Sequence, residues 1–315
     1  MVQVNNARIL DGDKQMKLDA NGFQLWTKNP ADIPEGFIQQ MDFCNQDQVV
    51  EDYYPLCESL VSDALMSQES SSSSPTSIKC ICAFDHNVRS NDKSSVGKIH
   101  SKHTEQEAAN PQVQNPAGPA HADYTKTSAP KRLHDLSNPP KLNDVLRPKL
   151  IAQNKQSLLD PNIVQEALDG KRRYAFINVW RSIDAQNPVM NPPLACVDAT
   201  TTTVDDLRTF KIHYVDRVGE NYFVCPREQH AWYYYPEMTM QEVLLLKQWD
   251  SHGKVACGAQ SDGMQNNEGK EEDKGNDGSG LSTFTIHSAF IDSTLPEAPP
   301  RKSIEVRCVV IWEEE

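Results

Sequence analysis

Three short stretches carry residue types that could hold a metal and its ligands. His121-Ala122-Asp123 sets an imidazole and a carboxylate two positions apart, and His287 offers a second imidazole far along the chain. Arg301-Lys302-Ser303 sets a guanidinium and a hydroxyl at the same spacing. Alternate side chains of a strand share a face, so His121 would point with Asp123, and Arg301 with Ser303. Two imidazoles and one carboxylate on one side of a metal, with open positions opposite, is the ligand set that non-haem Fe(II) oxygen chemistry needs.

An HxD or HxE step is weak by itself. Nine histidines and 44 acidic residues among 315 give roughly one such match from composition alone. The chain has a second, His103-Thr104-Glu105, within a polar stretch, and it reads as a solvated coincidence. The Arg301-x-Ser303 step adds weight, because the planar fork of arginine matches a carboxylate bidentately and serine adds a hydrogen bond. Together they suit the distal carboxylate of 2-oxoglutarate. The plainer reading makes Arg301 and Ser303 the start of an edge strand, with Arg307 in a surface ion pair.

Composition narrows the partners. A formal charge of -13 and a pI near 5.2 argue against nucleic acid, whose binding rests on clustered Lys and Arg. No apolar run reaches the roughly 18 to 20 residues of a membrane span, and the start MVQVNNARILDGD lacks the apolar core of a signal peptide. A cytoplasmic protein is the expectation. The eight cysteines show no CxxC pair and read as reduced thiols, with Cys80 and Cys82 as buried neighbours on one strand face.

Three segments are too polar to join a core and read as flexible insertions: about 67–77, 90–119 and 257–280. The rest suits a single domain of about 230 to 250 residues. Its apolar pattern is mostly strand-like. SIKCICAF, RRYAFINVWRSI, FKIHYVDR, NYFVCP, AWYYYP, EVLLLKQWDS, STFTIHSAF and SIEVRCVVIW are rich in β-branched and aromatic residues and bounded by turns. EVLLLKQWDS is ambiguous by period, and its shortness favours a strand. Leu142 to Gly170 is different, with helical spacing and an Asp160-Pro161 start signal, and two helices fit there. The expected class is mainly β with peripheral α-helices, as a double-stranded β-helix or cupin-like jelly roll whose inner face lines a site.

The segments FDHNVR, HADYTKTSAPKR, FINVWRSI, PLACVDATT, WYYYPEMTMQEVLLLKQWDS and HSAFIDSTLPEAPPRKSIEVR occur in that order from about Glu51 onward. They resemble the fungal hydroxylase/desaturase family, which includes gibberellin desaturase-like and aspergillic acid pathway proteins and is similar to the bacterial cephalosporin 7α-methoxylation protein. The resemblance implies an oxygenase using Fe(II), 2-oxoglutarate and O2 on a small molecule of secondary metabolism. It implies His121, Asp123 and His287 as metal ligands and Arg301 with Ser303 as the co-substrate clamp, with Arg307 an alternative. Arg181 and Arg89 fall in family blocks, where each orients a carboxylate of substrate or co-substrate or makes a structural ion pair, Arg181 with Asp198 for instance. Trp232 and Tyr234 are candidates for the substrate wall, with a core role the plainer reading. Hydroxylation and desaturation stay open. Two other readings remain: a non-catalytic accessory protein serving a pathway enzyme, and a cupin-like metal protein that uses oxygen without a keto acid.

Overall fold

The computed structural model describes residues 2–28, 33–34, 36–69, 77–101, 113–213, 218–258 and 280–313. Twelve strands occur among them. The first six are β1 (Val4–Asn6), β2 (Phe23–Trp26), β3 (Ile78–Ser90), β4 (His121–Ala122), β5 (Tyr174–Ser182) and β6 (Leu194–Val197). The rest are β7 (Leu207–His213), β8 (Val218–Val224), β9 (Trp232–Tyr234), β10 (Val243–Asp250), β11 (His287–Ala289) and β12 (Lys302–Trp312). The longer helices are α1 (Tyr54–Glu69), α2 (Ser128–Asp135), α3 (Arg147–Ala152) and α4 (Pro161–Leu168).

The strands form two sheets. One has seven strands in the order β1-β9-β6-β11-β4-β8-β7, the other five in the order β2-β10-β5-β12-β3. The sheets face each other across aromatic contacts, with Tyr124 stacked on Phe176 at 4.5 Å and Trp249 on Phe284 at 6.4 Å between ring centroids. The helix α1 covers the opposite face of the five-stranded sheet, lying on β3, β12 and β5. With both faces covered, all nine residues of β5 are buried, which is why YAFINVWRS reads as a near-continuous apolar run.

The local chemistry of each element is visible in its sequence. In α1 the buried pairs Leu56-Cys57, Leu60-Val61 and Ala64-Leu65 recur every four residues and form one apolar stripe. In α4 Asp160 caps the first turn by accepting from the Asn162 amide at 2.8 Å, and Pro161 occupies the position where a missing N–H costs nothing. Gly253 allows the turn after β10 to press on the segment leading to β11: a Cβ there would lie 2.4 Å from the Thr283 Cα.

Each of the eight expected segments contains a strand, EVLLLKQWDS included, but in STFTIHSAF it is only His287–Ala289, and 214–217 of FKIHYVDR lies outside the described residues; α3 and α4 are the two helices expected between Leu142 and Gly170. Several expectations need correction. Ser67 opens the serine tract but lies within α1, together with Gln68 and Glu69; 70–76 lies outside the described residues. The 90–119 segment is not wholly loop, since Asn45 bridges His100 and Arg89 bridges Gln114, with Val113 buried. His103 and Glu105 lie outside the described residues, as do 259–279. Cys80 and Cys82 sit on β3 but are only half-buried, because β3 is the edge of its sheet. By contrast β12, which Arg301 and Ser303 begin, is flanked by β5 and β3 and is not an edge strand. Among the described residues no helix is long and apolar enough to cross a membrane.

Candidate metal centre

The two histidines meet because β11 and β4 are antiparallel neighbours with His287 directly opposite His121. Paired residues point to one side of the sheet, and the imidazoles lie 4.5 Å apart between ring centroids. Asp123 follows the two-residue β4, with its Oδ1 3.5 Å from His121 Nε2. One ligand atom from each of His121, Asp123 and His287 lies within 4.8 Å of the other two, and no other such group of three occurs among the described residues.

The surroundings of each side chain set its charge. His121 Nδ1 lies 2.8 Å from the Pro119 carbonyl, a bond that needs its N–H and leaves the Nε2 lone pair facing Asp123. Burial disfavours charge on His121, yet the hydrogen bond and charge of Asp123 outweigh it and raise its pKa. His287 is pushed down to about 3 by burial and by the neighbouring His121, so it is neutral near pH 7. Burial also opposes ionisation of Asp123, but the Arg307 charge and the His121 hydrogen bond hold its carboxyl well below the usual range. A neutral imidazole beside an ionised carboxylate is the donor state a divalent metal takes.

The five-stranded sheet supplies the opposite wall through strict alternation. Ser303 lies between Arg89 and Ser182, Glu305 between Asn87 and Trp180, and Arg307 between Asp85 and Asn178. Asp123 Oδ2 accepts from Asn178 Nδ2 at 3.0 Å and from Arg307 Nε at 3.4 Å. Arg307 also reaches Asp85 and Glu305, each at 3.3 Å. From β10, Gln248 accepts the Asp123 backbone N–H at 3.0 Å and brings its amide 3.5 Å from His287 Nδ1. It can do so because β10 bulges between Lys247 and Trp249, which re-aims one side chain.

Arg301 is buried beneath this row. Its Nε donates to Ser303 Oγ at 3.1 Å, its NH1 to the Pro192 carbonyl at 3.2 Å, and its guanidinium lies 5.1 Å from the Trp180 ring centroid. Burial first, and then the charge of Arg89, push its pKa down to about 9. Its hydrogen-bond partners are neutral and the Glu305 charge only partly offsets these two effects, a costly state that a further carboxylate would relieve. His121, His287, Arg301, Arg89 and Glu305 line one narrow pocket. A larger cavity of about 560 Å³ is lined by His121 and Asp123 and shares Arg89, Ala117 and His121 with the first.

Three sequence candidates lie elsewhere. Arg181 is fully buried, but alternation puts it on the opposite face of β5 from Asn178 and Trp180. There it donates to the Met240 carbonyl at 2.7 Å and lies 5.8 Å from the Tyr53 ring, so it pairs neither with Asp198 nor with the co-substrate pocket. Asp198 instead caps a turn by accepting from Thr200. Trp232 pairs with Val197 and Tyr234 with Ala195, whereas His287 pairs with Cys196. Both aromatics therefore face away from the centre, and neither lines either cavity.

The fold and this centre can be set beside known proteins. A family model described as Oxidoreductase/YMDC permease-like domain matches residues 1–155 and 148–311. The chain belongs to that oxidoreductase family. An "Uncharacterized protein in dcmA 3'region" of Methylophilus leisingeri is 32% identical over 183 residues, covering 58% of this chain and 71% of that protein. Hydroxylase/desaturase efuI of Hormonema carpetanum is 31% identical over 46% of this chain and 43% of its own length. The Fe(II)/2-oxoglutarate-dependent dioxygenase nvfI of Aspergillus novofumigatus is 27% identical over 62% of this chain and 52% of its own. The matches thus span about half the length of these named fungal enzymes. A solved variant of the iron and alpha-ketoglutarate-dependent endoperoxidase NvfI superposes with a TM-score of 0.62 at 21% identity, covering 100% of this chain and 84% of that one. The oxidoreductase and NvfI share a fold.

Within this oxidoreductase, Asn178 and Gln248 escaped the sequence reading. Each looks like an ordinary polar residue inside an apolar strand. A buried amide in such a run is itself a signal, because it requires a partner, but nothing in the chain order says that the partner is Asp123.

Proposed function

We propose that this chain is an Fe(II)- and 2-oxoglutarate-dependent oxygenase that hydroxylates or desaturates a small molecule of secondary metabolism. In this reading the two sheets are the halves of a double-stranded β-helix, and the chain is one oxygenase domain. The observation that carries it is the narrow pocket in which His121 and His287 share walls with a buried arginine whose hydrogen-bond partners are all neutral. His121, Asp123 and His287 would hold the iron, and Arg301 with Ser303 would take the distal carboxylate of 2-oxoglutarate. When bound, iron with 2-oxoglutarate and O2 supplies oxidising power sufficient to remove hydrogen from an unactivated carbon.

The protein's own share is positioning and exclusion of water. The pocket has room for about one water (10 Å³), so it must widen as the co-substrate enters. His121 and Asp123 also line the larger cavity, which would take the organic substrate. Its volume is that of a small-molecule site. A complete ligand set gives no support to a retired accessory protein, although a partner enzyme of the same pathway fits either reading.

The test is succinate formation from 2-oxoglutarate by purified protein supplied with Fe(II). His121→Ala or Asp123→Ala should abolish it, and unchanged turnover in either would reject the assignment. Arg301→Ala should raise the apparent KM for 2-oxoglutarate by about tenfold or more, the cost of a lost charge-assisted bond. Oxygen uptake without succinate would favour the cupin-like alternative.

A further inference from the structure

Among the cationic side chains of the larger cavity, Lys131, Arg132, Lys141 and Arg307 included, Arg89 is the one that also lines the narrow pocket, and the proposed chemistry leaves it unassigned. It lies on β3, half-buried, on the wall common to the narrow pocket and the larger cavity, beside His121. Its one hydrogen bond among the described residues runs from NH1 to the Asn115 carbonyl at 2.9 Å. The other arginines of the cavity are occupied. Arg307 faces Asp123, Asp85 and Glu305, and Arg132 lies 4.9 Å from the Phe84 ring centroid. A partly desolvated guanidinium with no ion pair among the described residues is costly and presents its fork to any carboxylate that enters.

We propose that Arg89 anchors a carboxylate of the organic substrate, which is therefore a polar organic acid oxidised at a carbon close to that carboxylate. The inference rests on the oxygenase reading, since that reading gives Arg301 to the co-substrate. One 2-oxoglutarate leaves one distal carboxylate to bind, and Arg301, the deeper guanidinium with Ser303 beside it, takes it. Arg89 then serves a second anion. The second anion belongs in the larger cavity, because Arg89 is the cationic side chain that reaches both cavities. Asn87, Gln114, Glu220 and Asn221 also line the larger cavity. A plain hydrocarbon skeleton would strip water from these groups without replacing its hydrogen bonds. Arg89 and His121 line the same two cavities, so a carboxylate held by Arg89 would leave the attacked carbon within a few bonds of it.

The test compares matched probes of one shape, benzoate with benzamide and phenylacetate with phenylacetamide. Binding is read by ligand-observed NMR on protein loaded with Zn(II) and 2-oxoglutarate, and again on the metal-free protein. Each acid should bind about tenfold more tightly than its amide. Arg89→Gln should erase that preference while 2-oxoglutarate affinity stays within about twofold, and Arg89→Lys should keep part of it. Equal binding of acid and amide, absence of binding by either acid at about 10 mM, or a preference that survives in Arg89→Gln would each overturn the proposal. A loss of 2-oxoglutarate affinity in Arg89→Gln to match that of Arg301→Gln would also overturn it, by assigning Arg89 to the co-substrate. Failure of the oxygenase reading looks different: the wild-type chain would form no succinate, whatever the probes show.

Discussion

Asn178 and Arg307 both direct hydrogen bonds to one oxygen of Asp123, and this leaves the other oxygen free to face His121. Outer partners of this kind set the direction and basicity of a ligand. Asn178→Leu should therefore weaken Co(II) binding about 10- to 100-fold in a spectroscopic titration while leaving the fold intact. Unaltered affinity would mean that Arg307 alone orients the carboxylate. The ligand types and the Arg301–Ser303 pairing were legible in the sequence, because strand alternation carries them. Arg181 misled for the same reason that Asn178 was overlooked. On β5 the two differ by an odd number of positions and face opposite sides, a fact that register fixes and composition does not.

At the scale of elements, the bulge in β10 has a stabiliser just beyond it. Buried Asp250 accepts from Lys247 at 2.9 Å and from Arg173 at 2.6 Å, and Lys247 also bonds Asp19 of the N-terminal segment. Burial opposes ionisation of Asp250, but the Lys247 and Arg173 charges hold its carboxyl far below the usual range. Asp250→Ala would leave Lys247, 1% exposed, facing only Asp19. The expected cost is about 3 to 5 kcal/mol, read as a lower urea midpoint. Strands rich in β-branched and aromatic residues were legible for the physical reason that such side chains fit a covered pleat. The short strands β1, β2, β4 and β6 were not, since two to four residues hold too little pattern and their pairing comes from distant partners. The helix α1 was within reach, because its paired apolar positions recur every four residues from Leu56 onward.

For the whole molecule, acid is the expected weakness. His86 is buried beneath α1, with the Tyr54 hydroxyl 2.9 Å from its Nδ1. Burial is the main cause that pushes its pKa from 6.5 down to about 4, with Asp85 opposing and Arg307 assisting. Above pH 6.5 the group is neutral whether the chain is folded or not, and no penalty arises. Between pH 6.5 and 4 the unfolded chain takes up a proton that the folded chain refuses, so stability falls with pH. The loss from this residue is at most about 3 kcal/mol. His86→Gln should remove that part of the slope in denaturant unfolding followed from pH 7 to 4, and an unchanged slope would show that other groups carry it.

The meeting of His121 with His287 is a single residue pair between two of the shortest strands in the molecule. A bound ion would act there as a local clasp on β4 and β11, while the long pairing of β12 with β3 holds the early and late parts of the chain together regardless. Removing the ion with a chelator should therefore speed amide exchange in β4 and β11 while leaving β3 and β12 protected.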